Sequence, residues 1–278
     1  MIKLDNQYLF LKNYKPDKPL IIFTGHPRNW NVIADYNKKF INRLDANVII
    51  SAWTDANTGK KKDIAFKKKK NFLHLIEALQ PIYVDIEKFN VKLTYKLFGR
   101  VTAYDKVLFY AALSTRGQVY KIYRSLLIVK ALEKILKNKF KVIIKSRLDY
   151  LVLNFSLKKN LLKNCIYFEH NQSAHYQLSD RFFYGSRDAL FNLSKYLLKF
   201  AQIVRKQKIY ILSHIPINEN FFKLCFIKYN ISYKLIFPFS SLWRGNTRPS
   251  KTRIFLIILR AFIGYLKNKI EFFTKYLH

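Results

Sequence analysis

Apolar and polar positions alternate between two periods along this chain. Residues 19–24 form a continuous apolar run that breaks at Gly25, and residues 30–44 repeat their apolar positions at three and four. Residues 47–53 form a second, largely apolar run, so the chain opens as strand, helix, strand. The stretch 54–71 is polar and strongly basic, and reads as a solvated loop with at most a short helix. A third strand is predicted over 81–86. Residues 118–137 carry the clearest helical spacing in the first half and lead to a strand over 140–145. Shorter strands are expected over 151–154, 165–168 and 181–184. Ser186 is placed to cap a helix running to about residue 204, with Asp188 in its first turn. A further helix begins after Pro216 with Glu219 near its positive end. Helical and strand periods alternating in this way predict an α/β fold, with a mostly parallel sheet in the first half and a mixed second half. No internal repeat is present.

Composition narrows what such a fold does. Half of the 278 residues are hydrophobic, enough for a sizeable core, while 51 Lys and Arg against 17 Asp and Glu give a net charge of +34. Self-repulsion of that size points to an acidic partner: nucleic acid, anionic lipid or a sugar nucleotide. Only 13 of the 51 basic residues are Arg, and the Lys excess accompanies abundant Asn, Ile, Phe and Tyr. An AT-rich coding sequence accounts for part of the charge. Cys165 and Cys225 lie in apolar surroundings without metal-ligand spacing, which fits a reducing compartment. The first residues lack the long apolar stretch of a signal peptide, and no segment reaches the roughly 18 uninterrupted apolar residues of a membrane span. These features lead to an expected cytoplasmic location.

Three segments join an apolar run to a tip rich in Gly, Arg and Asp: 21–30, 142–152 and 179–190. In the first, Thr24-Gly25-His26-Pro27-Arg28 ends a strand. Gly25 permits a close turn beneath a ligand, and Arg28 suits bidentate contact with a diphosphate. The segment lacks the glycines of a dinucleotide fingerprint and the ending of a P-loop. An ordinary strand-to-helix turn with a surface Arg is the alternative.

In the second, Ser146-Arg147-Leu148-Asp149 closes a buried strand. A carboxylate there needs a cation to face, either a ligand-site cation or Arg147 itself in an ion pair. The third segment sets Asp180 and Arg181 before Phe182-Phe183-Tyr184-Gly185, and Arg187 with Asp188 after it. Phe-Phe-Tyr serves either as a stacking platform or as core. No histidine has the spacing of a zinc site.

This order of a Gly-Arg turn, a long central helix, a strand ending in Arg-x-Asp and an Asp-x-Phe-Phe-Tyr-Gly segment resembles the WavE-type family of bacterial lipopolysaccharide and capsule synthesis proteins. The resemblance covers about residues 20–235. It implies a GT-A-like (Rossmann-like) mostly parallel sheet flanked by helices, and transfer of a sugar from a nucleotide-sugar donor to a lipid-linked surface glycan. On that pattern Thr24, Gly25, Arg28 and Arg147 bind the donor nucleotide and Asp149 acts in catalysis; for the implied transfer Asp180 is the candidate general base, with Glu169 and His170 as alternatives. Arg147 and Asp149 occupy the place of the usual Asp-x-Asp. Because Arg147 stands where the first Asp would be, a divalent cation (Mn2+ or Mg2+) on Asp149 is left open, since Arg also neutralises a leaving diphosphate.

Two other classes remain. Lys60-Lys61-Lys62 and Lys67-Lys68-Lys69-Lys70 suit nucleic-acid phosphates, but no RNP, KH, zinc-finger or helix-turn-helix pattern accompanies them, and no specific nucleic acid is expected. A transferase of phosphate or sulfate onto the same glycans is the other. Residues 1–249 read as the transferase domain. Residues 250–278 read as a basic amphipathic helix lying on the anionic inner face of the cytoplasmic membrane, with a helix packed on the protein's own core as the alternative.

Overall fold

The computed structural model describes residues 4–5, 8–25, 30–53, 69–88, 90, 92–93, 96, 106–158, 160–170, 178–206, 217–236, 239–242, 249–256, 259 and 263. Of these, 69–71, 106–116, 154, 170, 178–180, 201–206, 217–221 and 239–242 are described by their backbone alone.

Alternation within the first strands sets the layering. In β1 (Leu20–Gly25), Leu20 and Ile22 point to one face of the sheet and Ile21 and Phe23 to the other, each pair entering a different core. Strand β2 (Asn47–Trp53) is buried at every position, as a parallel strand covered on both faces must be. With β3 (Tyr83–Glu87), β4 (Val142–Arg147), β6 (Ile166–His170), β7 (Leu178–Ser186) and β8 (Tyr233–Ile236) they form a seven-stranded sheet ordered β3-β2-β1-β4-β7-β6-β8. Strands β3, β2, β1 and β4 run parallel, β7 is reversed, and β6 and β8 are parallel to each other. The short strands β5 (Tyr150–Asn154) and β9 (Phe239–Leu242) make a separate antiparallel pair.

Helices cover both faces. On one side, α1 (Ala34–Leu44) buries Ala34, Asn37, Phe40 and Ile41, a stripe at helical spacing, and α2 (Lys69–Leu79) adds Leu75 and Leu79. On the other side lie α3 (Lys106–Leu136), α4 (Arg187–Lys206) and α5 (Ile217–Tyr229). Between Val119 and Leu132, α3 is buried on more than one side because the sheet, α4 and α5 all pack against it. Ser186 accepts the Ala189 N–H through its Oγ at 3.3 Å, the cap the sequence predicts for α4. Among the described residues no helix is long and apolar enough to cross a membrane.

Aromatic pairs across β6 and β7 lock the register of the reversed strand. Tyr167 stacks on Tyr184 on one face and Phe168 meets Phe183 on the other, each with ring centroids 4.8 Å apart. Phe182, Phe183 and Tyr184 are at most 1% exposed and therefore belong to the core rather than to a stacking platform. Gly185 follows them because there is no room for more. A Cβ there would lie 2.7 Å from Leu190 Cδ2 and 3.1 Å from the Cys165 carbonyl oxygen. Gly185→Ala is expected to destabilise the fold by about 1–3 kcal/mol through overpacking, read as a lower urea midpoint with unchanged slope.

The N-terminal segment closes the β3 edge, with Leu9 bridging Tyr83 and the Phe10 N–H donating to the Ile82 carbonyl. Its path is fixed further by Lys15 and Lys18, 2.8 and 2.9 Å from the carboxylate of Asp45. Asp45 ends α1 in a left-handed conformation, φ 47°. Hydrogen bonds from Lys15 and then Lys18 lower its carboxyl to about 2. A carboxyl depressed on folding contributes above its unfolded pKa and loses that contribution as pH falls through the folded value. The Asp45 contribution should therefore disappear between about pH 4 and 2. Asp45→Asn should remove that part of the acid dependence of the melting temperature.

Candidate active site at the carboxyl edge of the sheet

In an open parallel sheet, ligands bind where the strand order reverses, in the crevice beyond the carboxyl ends of the two diverging strands. Here that point lies between β1 and β4. The chain leaves β1 for β2 on one side and reaches β4 on the other only after α3. Thr24 of β1 is the register partner of Arg147 of β4, so two residues 123 positions apart in sequence stand side by side at this edge. Gly25 follows with φ 96°, a conformation that favours glycine, and no described atom lies within 4 Å of where its Cβ would be.

Beyond β4 the chain turns at Leu148 and Asp149 into β5. Arg147 donates from Nε to Asp149 Oδ1 at 2.8 Å and from Nη2 to Oδ2 at 2.7 Å, a bidentate pair with Asp149 only 2% exposed. The turn is held from below by Asn37 of α1, whose Nδ2 donates to the Leu148 carbonyl at 3.1 Å. Asn37 Oδ1 is buried and has no hydrogen-bond partner among the described residues. At the end of β6, Glu169 accepts a hydrogen bond from the Tyr150 hydroxyl. Because β7 is reversed, its first residues, including Asp180, return to this same edge. Backbone position alone is described for Asp180 and His170.

The sheet therefore gathers Thr24, Gly25, Arg147, Asp149, Glu169 and the backbone of Asp180 at one edge. Arg28 and His26, like Lys60-Lys61-Lys62, Lys67 and Lys68, lie outside the described residues. Arg187 and Asp188 are elsewhere. Seven steps along β7 from Asp180, about 23 Å at some 3.3 Å per residue, bring the chain to the opposite edge. There Arg187 makes a bidentate pair with Glu133 of α3 at 2.7 Å and also reaches Asp188 at 3.1 Å. The hydrogen bond to Glu133 holds its guanidinium above the ordinary value.

A second charged cluster at the carboxyl ends of β2 and β3 was not anticipated from the sequence. Lys121 of α3 is fully buried, 3.2 Å from Asp85 and 2.8 Å from Glu87, with its ammonium 4.3 Å from the centroid of a Trp53 ring. Arg124 forms a bidentate contact with Asp85, and Ser51 donates to Asp85 at 2.8 Å. Burial pushes the Asp85 carboxyl up, but Arg124, Lys121 and Ser51 outweigh it and hold the group below its usual range. Burial lowers Lys121, and the two carboxylates offset that only in part. Two carboxylates and two cations balance, so the cluster fastens α3 to the β2–β3 half of the sheet. The visible signal was acid at alternating positions of the buried strand Tyr83–Glu87 and Lys121 inside an apolar helical stretch.

Both cysteines are buried and free, and burial raises each thiol, Cys225 to about 12. Neither is suited to nucleophilic work, which needs the thiolate. Among the described residues no three His, Cys, Asp or Glu side chains converge, and both oxygens of Asp149 accept from Arg147. Comparison with protein-family models finds none that matches this chain, and no curated protein matches it either.

Proposed function

We propose that this chain is a GT-A-like glycosyltransferase of the WavE type, moving a sugar from a nucleotide-sugar donor to a lipid-linked bacterial surface glycan. The observation that carries the reading is the meeting of Thr24 and Arg147 in register at the switch point between β1 and β4. A turn at Gly25, a guanidinium clamped by Asp149 and a carboxylate at the end of β6 supply the rest of the constellation.

The chemistry follows from charge. As the glycosidic bond breaks, negative charge gathers on the leaving nucleoside diphosphate, and a preoriented cation beside it lowers the barrier. Arg147 is that cation. Guanidinium has five N–H donors in a rigid fork, and Asp149 fixes the fork's orientation by engaging two of them. Asp149 is thus a positioning residue in this reading. The acceptor hydroxyl loses its proton to a carboxylate at the same edge, Asp180 or, alternatively, Glu169 with its Tyr150 partner. Thr24 and Gly25 form the floor beneath the diphosphate.

Donor hydrolysis measured across UDP-, GDP- and CMP-sugars tests this. Release of free sugar from one nucleotide class, above a heat-treated control, is expected. No turnover of any donor, together with tight, salt-sensitive binding of random DNA, would favour a nucleic-acid-binding role instead.

A further inference from the structure

From Asn220 to Ile270 the chain holds ten Lys and Arg and no Asp or Glu. Within this stretch a helix starts at Lys251, with residues 251–256, 259 and 263 all helical. Its start is well defined. Ser250 accepts the Arg253 N–H through Oγ at 3.2 Å and the Ile254 N–H through its carbonyl at 3.0 Å, and Pro249 before it is buried. Helix α1 buries its apolar stripe, whereas the described apolar residues of this helix from Phe255 onward are exposed. Phe255 is 61% exposed, Leu256 45%, Leu259 39% and Ile263 44%. Steps of one, four and eight place these four on a single face. Lys251, Thr252 and Arg253 are exposed in the first turn.

We propose that this face docks in the plane of an anionic phospholipid bilayer, with Phe255, Leu256, Leu259 and Ile263 at the acyl boundary and Lys251 and Arg253 among the headgroups. Charge and apolarity select that occupant together. A nucleic acid would reward the cations and leave the apolar stripe in water. A second copy would cover the stripe but oppose two chains of net charge +34. An anionic leaflet satisfies both features, since affinity of such helices rises with buried apolar area and with attraction to acidic lipid. The surface stands on its own exposure and does not depend on the reaction proposed above.

The full chain should cosediment with phosphatidylcholine vesicles containing phosphatidylglycerol at physiological salt, and much less with phosphatidylcholine alone. Leu256→Glu with Leu259→Glu should lower partition at least about tenfold, because both side chains are already exposed and only the bound state loses their burial. Phe255→Trp should show a blue-shifted emission on anionic vesicles. A full chain that stays in the supernatant, a double variant that partitions like the parent, or an indole emission unchanged by vesicles would overturn the proposal. Random DNA that binds parent and double variant equally, and strips the parent from vesicles, would reassign the segment to nucleic acid.

Discussion

Asp149→Asn is expected to lower donor turnover by two or more orders of magnitude, about the scale of losing one preorganised electrostatic group. The amide keeps the size of the side chain but cannot hold Arg147 as an ion pair on two oxygens 2.7 and 2.8 Å away. The guanidinium then no longer waits in the orientation that the departing diphosphate needs. Some stability is lost as well, about 1–3 kcal/mol for a hydrogen-bonded charged group, so turnover should be read well below the melting temperature of the variant. Near-parental turnover in folded Asp149→Asn protein would remove this residue from the site.

Asp85→Ala should cost the fold about 3 kcal/mol, because it leaves the buried Lys121 and Arg124 to share Glu87 and strips Arg124 of its bidentate partner. Urea unfolding measures this directly, and a loss below about 1 kcal/mol would show the cluster to be peripheral to stability. The same group predicts an acid dependence. Since its folded pKa is depressed, the Asp85 contribution is complete above the unfolded value of about 3.9 and is lost as pH falls through the folded one. In Asp85→Ala protein that part of the acid slope should be absent.

The elements most legible in the sequence are those whose burial is uniform or one-sided. Strand β2 is predicted over 47–53 and observed as Asn47–Trp53, because Val48, Ile49, Ile50, Ala52 and Trp53 enter the two cores and Asn47 and Ser51 are buried beside them. The cap at Ser186 and the helix after it were equally clear, and α5 starts just after Pro216. Helix α3, in contrast, begins at Lys106, 12 residues before the predicted start, since burial on several sides blurs an amphipathic period. Helix α2 was hidden by the Lys run that overlaps its beginning. Strands β8 and β9 have four residues each, and Tyr233, Lys234 and Leu235 of β8 are exposed in succession, so no alternation marks them.

At the site, the sequence names Thr24, Gly25, Arg147 and Asp149, and the sheet brings the four together. What it left open was the pairing of Arg147 with Asp149, for which both an ion pair and a ligand role were compatible with adjacent charges. Its third motif combined two edges of the sheet, since Asp180 and Arg187 are close in sequence but at opposite ends of one strand. The Asp85 cluster escaped because its members come from three elements, and only the fold places Ser51, Asp85 and Lys121 in contact.

The most direct test is a calorimetric titration of UDP, GDP and CMP into the full chain and into Arg147→Ala. One nucleotide is predicted to bind the parent chain, and the substitution to weaken it by about 1.5–3 kcal/mol, roughly 10- to 150-fold, the usual range for a hydrogen bond to a charged group. Equal affinity in both proteins, or no binding of any nucleotide to the parent chain, would contradict a diphosphate site at the β1–β4 switch point.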